Sequence, residues 1–339
     1  MKRRIALGFA FALLLLVLLI NAIGGQNVLD ELSKADYRVL GLGLLSGALA
    51  LTFRGLVWAR FIALIDETMP RRRIGEVFLT AMFVKYVTPY GQLATEPFVA
   101  YLVSRDGEMA YEDGLASILS ADLLNYVPYY TFGFLALGMI AAGGTLRDGM
   151  GTQFVAFASL FLVVVGVVYI AVQQPAIVYR LVLGITGLCR RVVGRVTTRF
   201  DEQLSPDAVR PRLDGFYTTV ETITADKRTL VIATVYAHLG MAFLMLPIYI
   251  GALALGYQLA FPVVALVVAL GKLGAVVPAP GGTGGVEVIV TAGLTTLGQL
   301  EPAAAVTIAL IYRLCTYWLT IGIGGLSAAR LLVARPTDN

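Results

Sequence analysis

The chain has 339 residues, of which 58% are hydrophobic and only 14% are charged, and its net charge is +4. A soluble domain carries about 25% charged residues, because those residues cover its surface. This composition excludes a soluble enzyme, a secreted disulfide scaffold and a disordered regulator. It indicates an integral membrane protein.

Apolar stretches of membrane-crossing length recur along the chain. A helix needs about 20 mostly apolar residues to cross the hydrocarbon core. Six stretches meet this length: 5–23, 39–58, 123–142, 153–172, 230–252 and 303–326. The first follows three basic residues and has only a weak cleavage-site match, so we expect an uncleaved span that starts in the cytoplasm.

Two further apolar stretches, 76–103 and 262–298, are broken near their middles. The first break reads Pro-Tyr-Gly at 89–91, and the second reads Pro-Ala-Pro-Gly-Gly at 278–282. Proline and glycine together end a helix, which leaves halves of roughly 18 Å at about 1.5 Å per residue. Halves this short predict re-entrant hairpins that turn at mid-membrane.

Basic residues concentrate on one side of these predicted spans. Residues 173–228 alone hold nine of the 26 lysines and arginines, and the positive-inside rule therefore places both termini in the cytoplasm of a multi-pass cell-membrane protein. Arg191, Arg195 and Arg199 recur every four residues. They form either an interfacial helix face that touches anionic lipid or a solvated face.

The sequence resembles itself at an offset of 191 residues. The pattern Pro-x-Gly-x4-Glu occurs at 89–96 and again at 280–287. The same offset aligns two further pairs, Asp122 with Arg313 and Tyr126 with Tyr317. Several kinds of feature in one register indicate an internal repeat.

The repeat divides the chain into four segments of one membrane domain, 1–339. A first span and outer loop (1–37) precede repeat 1 (38–145), and a linking span with a basic cytoplasmic segment (146–228) precedes repeat 2 (229–335). The linking span makes the two units enter the membrane from opposite sides. The predicted fold is all-α, with six transmembrane helices, two re-entrant broken-helix hairpins and an inverted-topology repeat.

Seven ionisable residues fall inside the apolar stretches: Arg54, Lys85, Glu96, Asp122, Lys272, Glu287 and Arg313. A central charge costs about 2.5–3.5 kcal/mol on insertion scales, so we expect these side chains to face one another or water. Four cations against three anions favour an anionic ligand such as a lipid phosphate.

The glycines of the breaks have two interpretations. Gly281, Gly282 and Gly284, with Gly91 at the start of the corresponding half-helix, let a headgroup approach N–H groups at a positive helix end. Alternatively, they only form the tight turn that a hairpin needs.

The carboxylates also have structural interpretations. Glu96 and Glu287 stabilise a helix N-terminus, pair with Lys85 or Lys272, or handle substrate or protons. Neutralising Glu287 is expected to abolish transport by a folded protein, whereas unfolding would indicate a structural ion pair.

Asp122 and Arg313 either pair with each other across the repeat axis or contact substrate. Tyr126 and Tyr317 follow them by one turn and either pack with a buried hydroxyl or bind ligand. Arg54 either binds phosphate or extends toward the cytoplasmic headgroups. The candidate substrate-binding residues are Arg54, Lys85, Gly91, Glu96, Asp122, Tyr126, Lys272, Gly281, Gly282, Gly284, Glu287, Arg313 and Tyr317.

The pattern Pro-Gly-Gly-x-Gly-x-x-Glu at 280–287 resembles the most specific motif of a family, the flippase-like membrane domain of lysylphosphatidylglycerol synthetases and its stand-alone relatives. The polar first hairpin at 85–96, Asp122 and Arg313 also fit, so the resemblance covers essentially the whole chain. One departure is Thr-Glu-Pro at 95–97, where the family has Gly-Glu followed shortly by a basic residue.

The resemblance implies movement of a polar or charged lipid between leaflets. In the synthetases this domain is fused to an aminoacyltransferase, and in some archaeal relatives to a glycosyltransferase. This sequence contains neither, so we expect a flippase or scramblase for a phospholipid or polyprenyl-phosphate-linked lipid that a separate synthase or glycosyltransferase makes.

We expect a non-enzyme without cofactor or metal, with membrane lipids as partners and no nucleic acid, and a homodimer is left open. The alternative function is an ion- or proton-coupled secondary transporter of a small solute, which uses the same architecture.

Overall fold

The computed structural model describes residues 21, 25–33, 36–89, 91, 95–107, 109–143, 150–193, 202–275, 277 and 279–333. All regular elements in these ranges are helical. The predicted first span at 5–23, apart from Asn21, lies outside the described residues, as do Arg195 and Arg199.

The described helices are numbered along the chain. They are α1 (Gly25–Ser33), α2 (Tyr37–Ile65), α3 (Arg71–Val87), α4 (Glu96–Asp106), α5 (Tyr111–Ala142), α6 (Met150–Gln173), α7 (Pro175–Val193), α8 (Pro206–Ala225), α9 (Lys227–Ala254), α10 (Phe261–Gly274), α11 (Gly285–Thr296), α12 (Pro302–Arg313) and α13 (Leu319–Val333). A 3₁₀ turn at Pro280–Gly282 precedes α11, and a π turn at Leu314–Trp318 joins α12 to α13.

Four of the described helical segments are long and apolar enough to cross a membrane. They are α2, α5, α9 and the continuous segment Pro302–Leu331. A fifth span would combine α6 and α7, which are apolar enough together but bend by 92° where they meet. The described part therefore contains four or five of the six predicted spans.

Equivalent helices of the two predicted units begin in the same way. Asp36 precedes α2 and Asp226 precedes α9, and each carboxylate accepts a hydrogen bond from a first-turn N–H, at 2.9 Å and 3.1 Å. Such a cap satisfies a donor that the helix leaves unpaired, and at Asp226 it lowers the pKa of the carboxyl below its ordinary value. The helical segment 302–333 begins and ends 191 residues after α5.

The equivalent helices α2 and α9 run antiparallel. Ser46 Oγ on α2 donates to the carbonyl oxygen of Phe243 on α9 at 2.7 Å. Further along α2, the Phe53 ring lies 6.0 Å from the Tyr236 ring, which is earlier in α9. Opposite directions in equivalent elements are what an inverted repeat requires.

Both broken stretches fold back on themselves. In the second hairpin α10 and α11 run antiparallel, with Gly271 against Val290 and Gly274 against Gly285. A Cβ on Gly274 would lie 2.5 Å from the Gly285 backbone, so glycine permits this close approach.

In the first hairpin α4 begins at Glu96, and Gly91, the predicted start of this half, is itself helical. The N–H of Gly91 donates to Thr88 O at 2.9 Å, and its carbonyl accepts from Thr95 N at 3.3 Å. A Cβ on Gly91 would overlap the backbone of Lys85, which explains the glycine at this position.

Each hairpin packs against a long helix of the other unit. α3 packs on α13, where Thr80 and Ser327 approach within 3.4 Å, and α10 packs on α5, where the Phe132 and Phe261 rings are 6.3 Å apart. The second halves, α4 and α11, pack on the long helix of their own unit. Both breaks therefore lie between the two units.

Candidate functional site

The first hairpin holds a buried cluster of charges, which we call the lysine cluster (Lys85, Glu96 and Asp122). Lys85 Nζ lies 2.8 Å from Glu96 Oε1 and also forms an ion pair with Asp122. Trp58 Nε1 donates to the other oxygen of Asp122 at 2.8 Å. One ammonium here faces two carboxylates, and the buried Oε2 of Glu96 has no hydrogen-bond partner among the described residues.

The second hairpin holds a different cluster, the arginine cluster (Glu287 and Arg313). Arg313 Nε donates to Glu287 Oε1 at 2.9 Å, and its terminal nitrogen donates to Gly281 O and Thr283 Oγ1, both at 3.1 Å. Glu287 Oε2 accepts from the N–H of Gly284 at 2.8 Å. Both carboxylate oxygens are therefore satisfied, which a buried ion pair requires.

The glycines of the second break allow a backbone that other residues rarely adopt. Gly281, Gly282 and Gly284 have φ angles of 57°, 66° and 87°. The N–H groups of Gly282 and Gly284 donate to Ala279 O and to Glu287. These internal bonds favour the tight-turn interpretation, and the headgroup cradle stays a prediction.

Tyr317 connects the arginine cluster to the first unit. Its side chain is buried, its hydroxyl donates to Pro280 O at 3.2 Å, and its ring stacks on Tyr86 with centroids 5.5 Å apart. The Arg313 guanidinium lies 4.0 Å from the centre of the Tyr317 ring. Tyr317 thus packs with a hydrogen-bonded hydroxyl, one of its two predicted roles.

Lys272 on α10 makes the reciprocal contact to the first unit. Its Nζ lies 4.5 Å from the ring centre of Tyr126 and 5.6 Å from that of Tyr129, both on α5. An ammonium over aromatic faces is stabilised by the ring quadrupoles, more so when it is desolvated.

Two small interior cavities lie between the clusters. One, of about 50 Å³, is lined by Arg54, Lys272 and Arg313, and the other, of about 20 Å³, is lined by Arg54, Lys85 and Asp122. Arg54 lines both, which is the position that the phosphate-binding interpretation of this residue needs. None of the described residues that line the larger cavity is acidic.

Two predicted pairings are wrong. Asp122 does not pair with Arg313 across the axis, because Lys85 and Glu287, respectively, hold them within their own units. Glu287 likewise pairs with Arg313 and not with Lys272. Each hairpin thus brings its own charges to its own long helix, which the repeat alignment could not distinguish from pairing between units.

Sequence reasoning also missed several interior residues. Tyr86, Tyr129 and Tyr312 line the larger cavity beside the charges, and Trp58 and Thr283 hold Asp122 and Arg313. The sequence held a signal for two of these residues, because Tyr86 directly follows Lys85 and Tyr312 directly precedes Arg313.

A larger apolar cavity, of about 580 Å³, lies between α5 and α6. Its lining is almost entirely aliphatic and aromatic, and among its residues Leu123, Val127 and Val165 are exposed at the surface of the described part. Tyr126 lines both this cavity and the smaller interior cavity. An apolar space therefore adjoins the charged interior at one side chain.

The comparisons with known proteins agree with this architecture. The family model described as lysylphosphatidylglycerol synthase TM region matches residues 5–324. A relative from Pyrococcus horikoshii, named as a UPF0104 membrane protein, is 21% identical over 322 residues, which is 92% of each chain. No solved structure matches the chain. The chain is thus an integral multi-pass membrane protein that belongs to the family of the lysylphosphatidylglycerol synthase transmembrane region.

Proposed function

We propose that this protein is a flippase or scramblase that moves a lipid with an anionic headgroup between the leaflets of the cell membrane. The headgroup passes through the interior between the two units, and the acyl or isoprenoid tail stays in the apolar cavity of α5 and α6. The observation that carries the proposal is the position of Tyr126, which lines both the apolar cavity and the charged interior. A transporter that encloses a small polar solute does not need an apolar cavity beside its charged interior.

The chemistry of the larger interior cavity supports an anionic headgroup. Arg54, Lys272 and Arg313 line it together with four tyrosines, Tyr86, Tyr129, Tyr312 and Tyr317. Guanidinium, ammonium and hydroxyl groups are the donors that bind phosphate, and charge-assisted hydrogen bonds are the stronger ones. A positive, hydroxyl-rich lining therefore favours a lipid phosphate over a cationic headgroup.

The size of the cavity requires the two units to move apart during transport. A volume of about 50 Å³ holds only a few water molecules, at about 10–15 Å³ of cavity volume for each, which is too little for a phospholipid headgroup. The contacts that close it join the units through side chains, Lys272 to Tyr126 and Tyr317 to Tyr86. Rocking of one repeat against the other would separate these contacts without unfolding a helix.

The proposal is tested in vesicles of phosphatidylcholine that carry a trace of fluorescent phosphatidylglycerol or fluorescent phosphatidylcholine. A membrane-impermeant reductant bleaches only the outer leaflet, so transport appears as loss of the protected inner-leaflet signal. We expect the protein to expose inner-leaflet phosphatidylglycerol faster than phosphatidylcholine. The variant Lys272→Met should slow the anionic lipid selectively.

The matched control is Lys227→Met, which removes the same charge at the exposed start of α9. Transport of phosphatidylglycerol should be unchanged in that control. If wild-type and Lys272→Met protein both moved the two lipids at equal rates, the proposed preference for an anionic headgroup would be wrong. If no lipid moved and a soluble solute was taken up, the result would favour the ion- or proton-coupled solute transporter. Mass spectrometry of co-purifying lipids would then identify the lipid, which we expect a separate enzyme to make.

A further inference from the structure

The lysine cluster carries one more negative charge than its lysine neutralises. Lys85 pairs with both Glu96 and Asp122, and Trp58 donates to Asp122 alone. Glu96 is 9% exposed, and its Oε2 is buried with no hydrogen-bond partner among the described residues. Burying a charged carboxylate oxygen without a hydrogen-bond donor is unfavourable in free energy, and protonation of Glu96 removes this desolvation penalty.

The groups that face Glu96 make it the site of a shared proton. Its own helix, α4, packs between α3 and α5, which contribute Lys85 and Asp122 respectively. The Asp122 side chain is close enough to interact directly with that of Glu96, and Arg54 on α2 lines the smaller cavity together with Asp122. Two carboxylates in one buried site take up a proton as a pair.

We propose that Glu96 and Asp122 bind one proton between them and that this proton crosses the membrane together with the anionic lipid. The inference rests on the proposed function. The proton passes from a hydronium ion on one side to a carboxylate oxygen, and from that oxygen to a water molecule on the other side, so each O–H bond that breaks is replaced by one that forms.

Electrostatics couples the proton to the lipid. The smaller cavity brings Arg54 next to Asp122 and Lys85, so an anion held by Arg54 adds negative charge beside the pair. Added negative charge favours the protonated carboxyl, and by linkage the bound proton favours the anion by the same factor. The geometry therefore predicts symport, in which lipid and proton move in the same direction.

The test uses the full chain in vesicles of phosphatidylcholine with fluorescent phosphatidylglycerol, with a pH-sensitive dye trapped inside. With wild-type protein, a pH lower on the side that the lipid leaves should accelerate its movement, and added phosphatidylglycerol should bring protons with it. Glu96→Gln carries a permanently neutral side chain and should lose both the response to the pH difference and the proton signal. The matched control is Glu221→Gln on the exposed face of α8, which should keep both.

Each outcome decides between the two proposals. If wild-type protein moves phosphatidylglycerol at a rate that does not depend on the pH difference, proton coupling is overturned and the lipid proposal is unaffected. No lipid movement at all overturns the proposed function, and the proton site is then judged by infrared titration. A carboxylic-acid band that Glu96→Gln removes supports the site, and an unchanged band overturns it; Asp122→Asn serves if the first variant does not fold.

Discussion

The two hairpins hold their buried charges in different ways. In the arginine cluster, one cation meets one carboxylate, and both carboxylate oxygens are bonded to Arg313 or to the backbone of the break. In the lysine cluster, one cation meets two carboxylates, and an oxygen of Glu96 has no partner among the described residues. Repeated elements have thus produced one site in which a single ion pair is fully bonded and one site in which two carboxylates share a lysine.

The difference indicates a division of roles between the two clusters. A neutral and fully bonded cluster loses stability when any member is removed, so the arginine cluster is suited to fixing the shape of the second hairpin. Two carboxylates that share one lysine can take up a proton as a pair, which the proposed proton coupling requires. Substitutions of the same type in both clusters test this division.

The largest expected effect separates the two glutamates. Glu287→Gln leaves Arg313 as an unpaired buried cation and should cost about 3–5 kcal/mol of unfolding free energy. Glu96→Gln leaves Lys85 paired with Asp122 and should cost less than about 1 kcal/mol of unfolding free energy. The change can replace Oε2, which accepts no hydrogen bond from the described residues. Unfolding by dodecyl sulfate titration in mixed micelles measures both.

The control for this pair is a double variant, Glu287→Gln with Arg313→Met. It leaves no isolated charge, so it should recover part of the loss of the single variant. Equal losses for the two glutamates would show that both clusters hold the fold and would remove the proposed division.

The second prediction concerns the turn beside the arginine cluster. Gly281→Ala should cost about 2–4 kcal/mol, because φ is positive at this position and the added Cβ would overlap the buried Tyr317 ring. Gly138→Ala on α5, where nothing lies within 4 Å of the added Cβ, should be neutral or stabilising. Melting temperatures of the two variants in detergent make the comparison, and a stable Gly281→Ala would mean that the turn is less constrained than its φ angle indicates.

The sequence predicted the elements of this fold better than their contacts. Length and hydropathy located four of the spans, and a fifth if α6 and α7 form one span, because the cost of burying backbone polar groups in a bilayer leaves helices as the main option. Helix-breaking residues located the interruptions of the two broken stretches. The offset of 191 residues gave the equivalence of Asp122 and Arg313. It could not give their partners, because each unit contains both cations and carboxylates, so that each of the two residues has an oppositely charged side chain in its own unit as well as in the other.

The candidate site was incomplete for the same reason. The seven charges found from the sequence all lie in the two clusters or line the interior cavities, but the tyrosines beside them and the role of Trp58 depend on how α3 and α10 pack across the units. Aromatic residues are common in any membrane helix, so their number alone did not separate Tyr86 and Tyr129 from lipid-facing rings.

The third prediction tests how the lysine cluster holds Asp122. Trp58→Phe keeps an aromatic ring against Phe78 but removes the N–H that donates to Asp122, and hydrogen bonds to charged groups contribute about 1.5–3 kcal/mol. The other tryptophan of the chain provides the control. Trp318→Phe changes a half-exposed side chain and should leave the melting temperature unchanged. If both variants melted alike, the bond from Trp58 would contribute nothing and Lys85 alone would hold Asp122.

The smallest expected effect compares the threonines of the two breaks. Thr95 Oγ1 donates to the carbonyl of Gly91, and Thr283 Oγ1 donates to Pro280 O and also accepts from Arg313. Thr95→Ala should cost about 0.5–1.5 kcal/mol, the contribution of a neutral hydrogen bond, whereas Thr283→Ala should cost about 1.5–3 kcal/mol because the lost acceptor serves a cation. The same dodecyl sulfate titration resolves the two values. Because both changes remove one hydroxyl and one methyl group from a buried threonine, a larger loss at Thr95 could not come from packing. It would instead mean that the first break is held as firmly as the second, and the contrast between the clusters would then rest on charge alone.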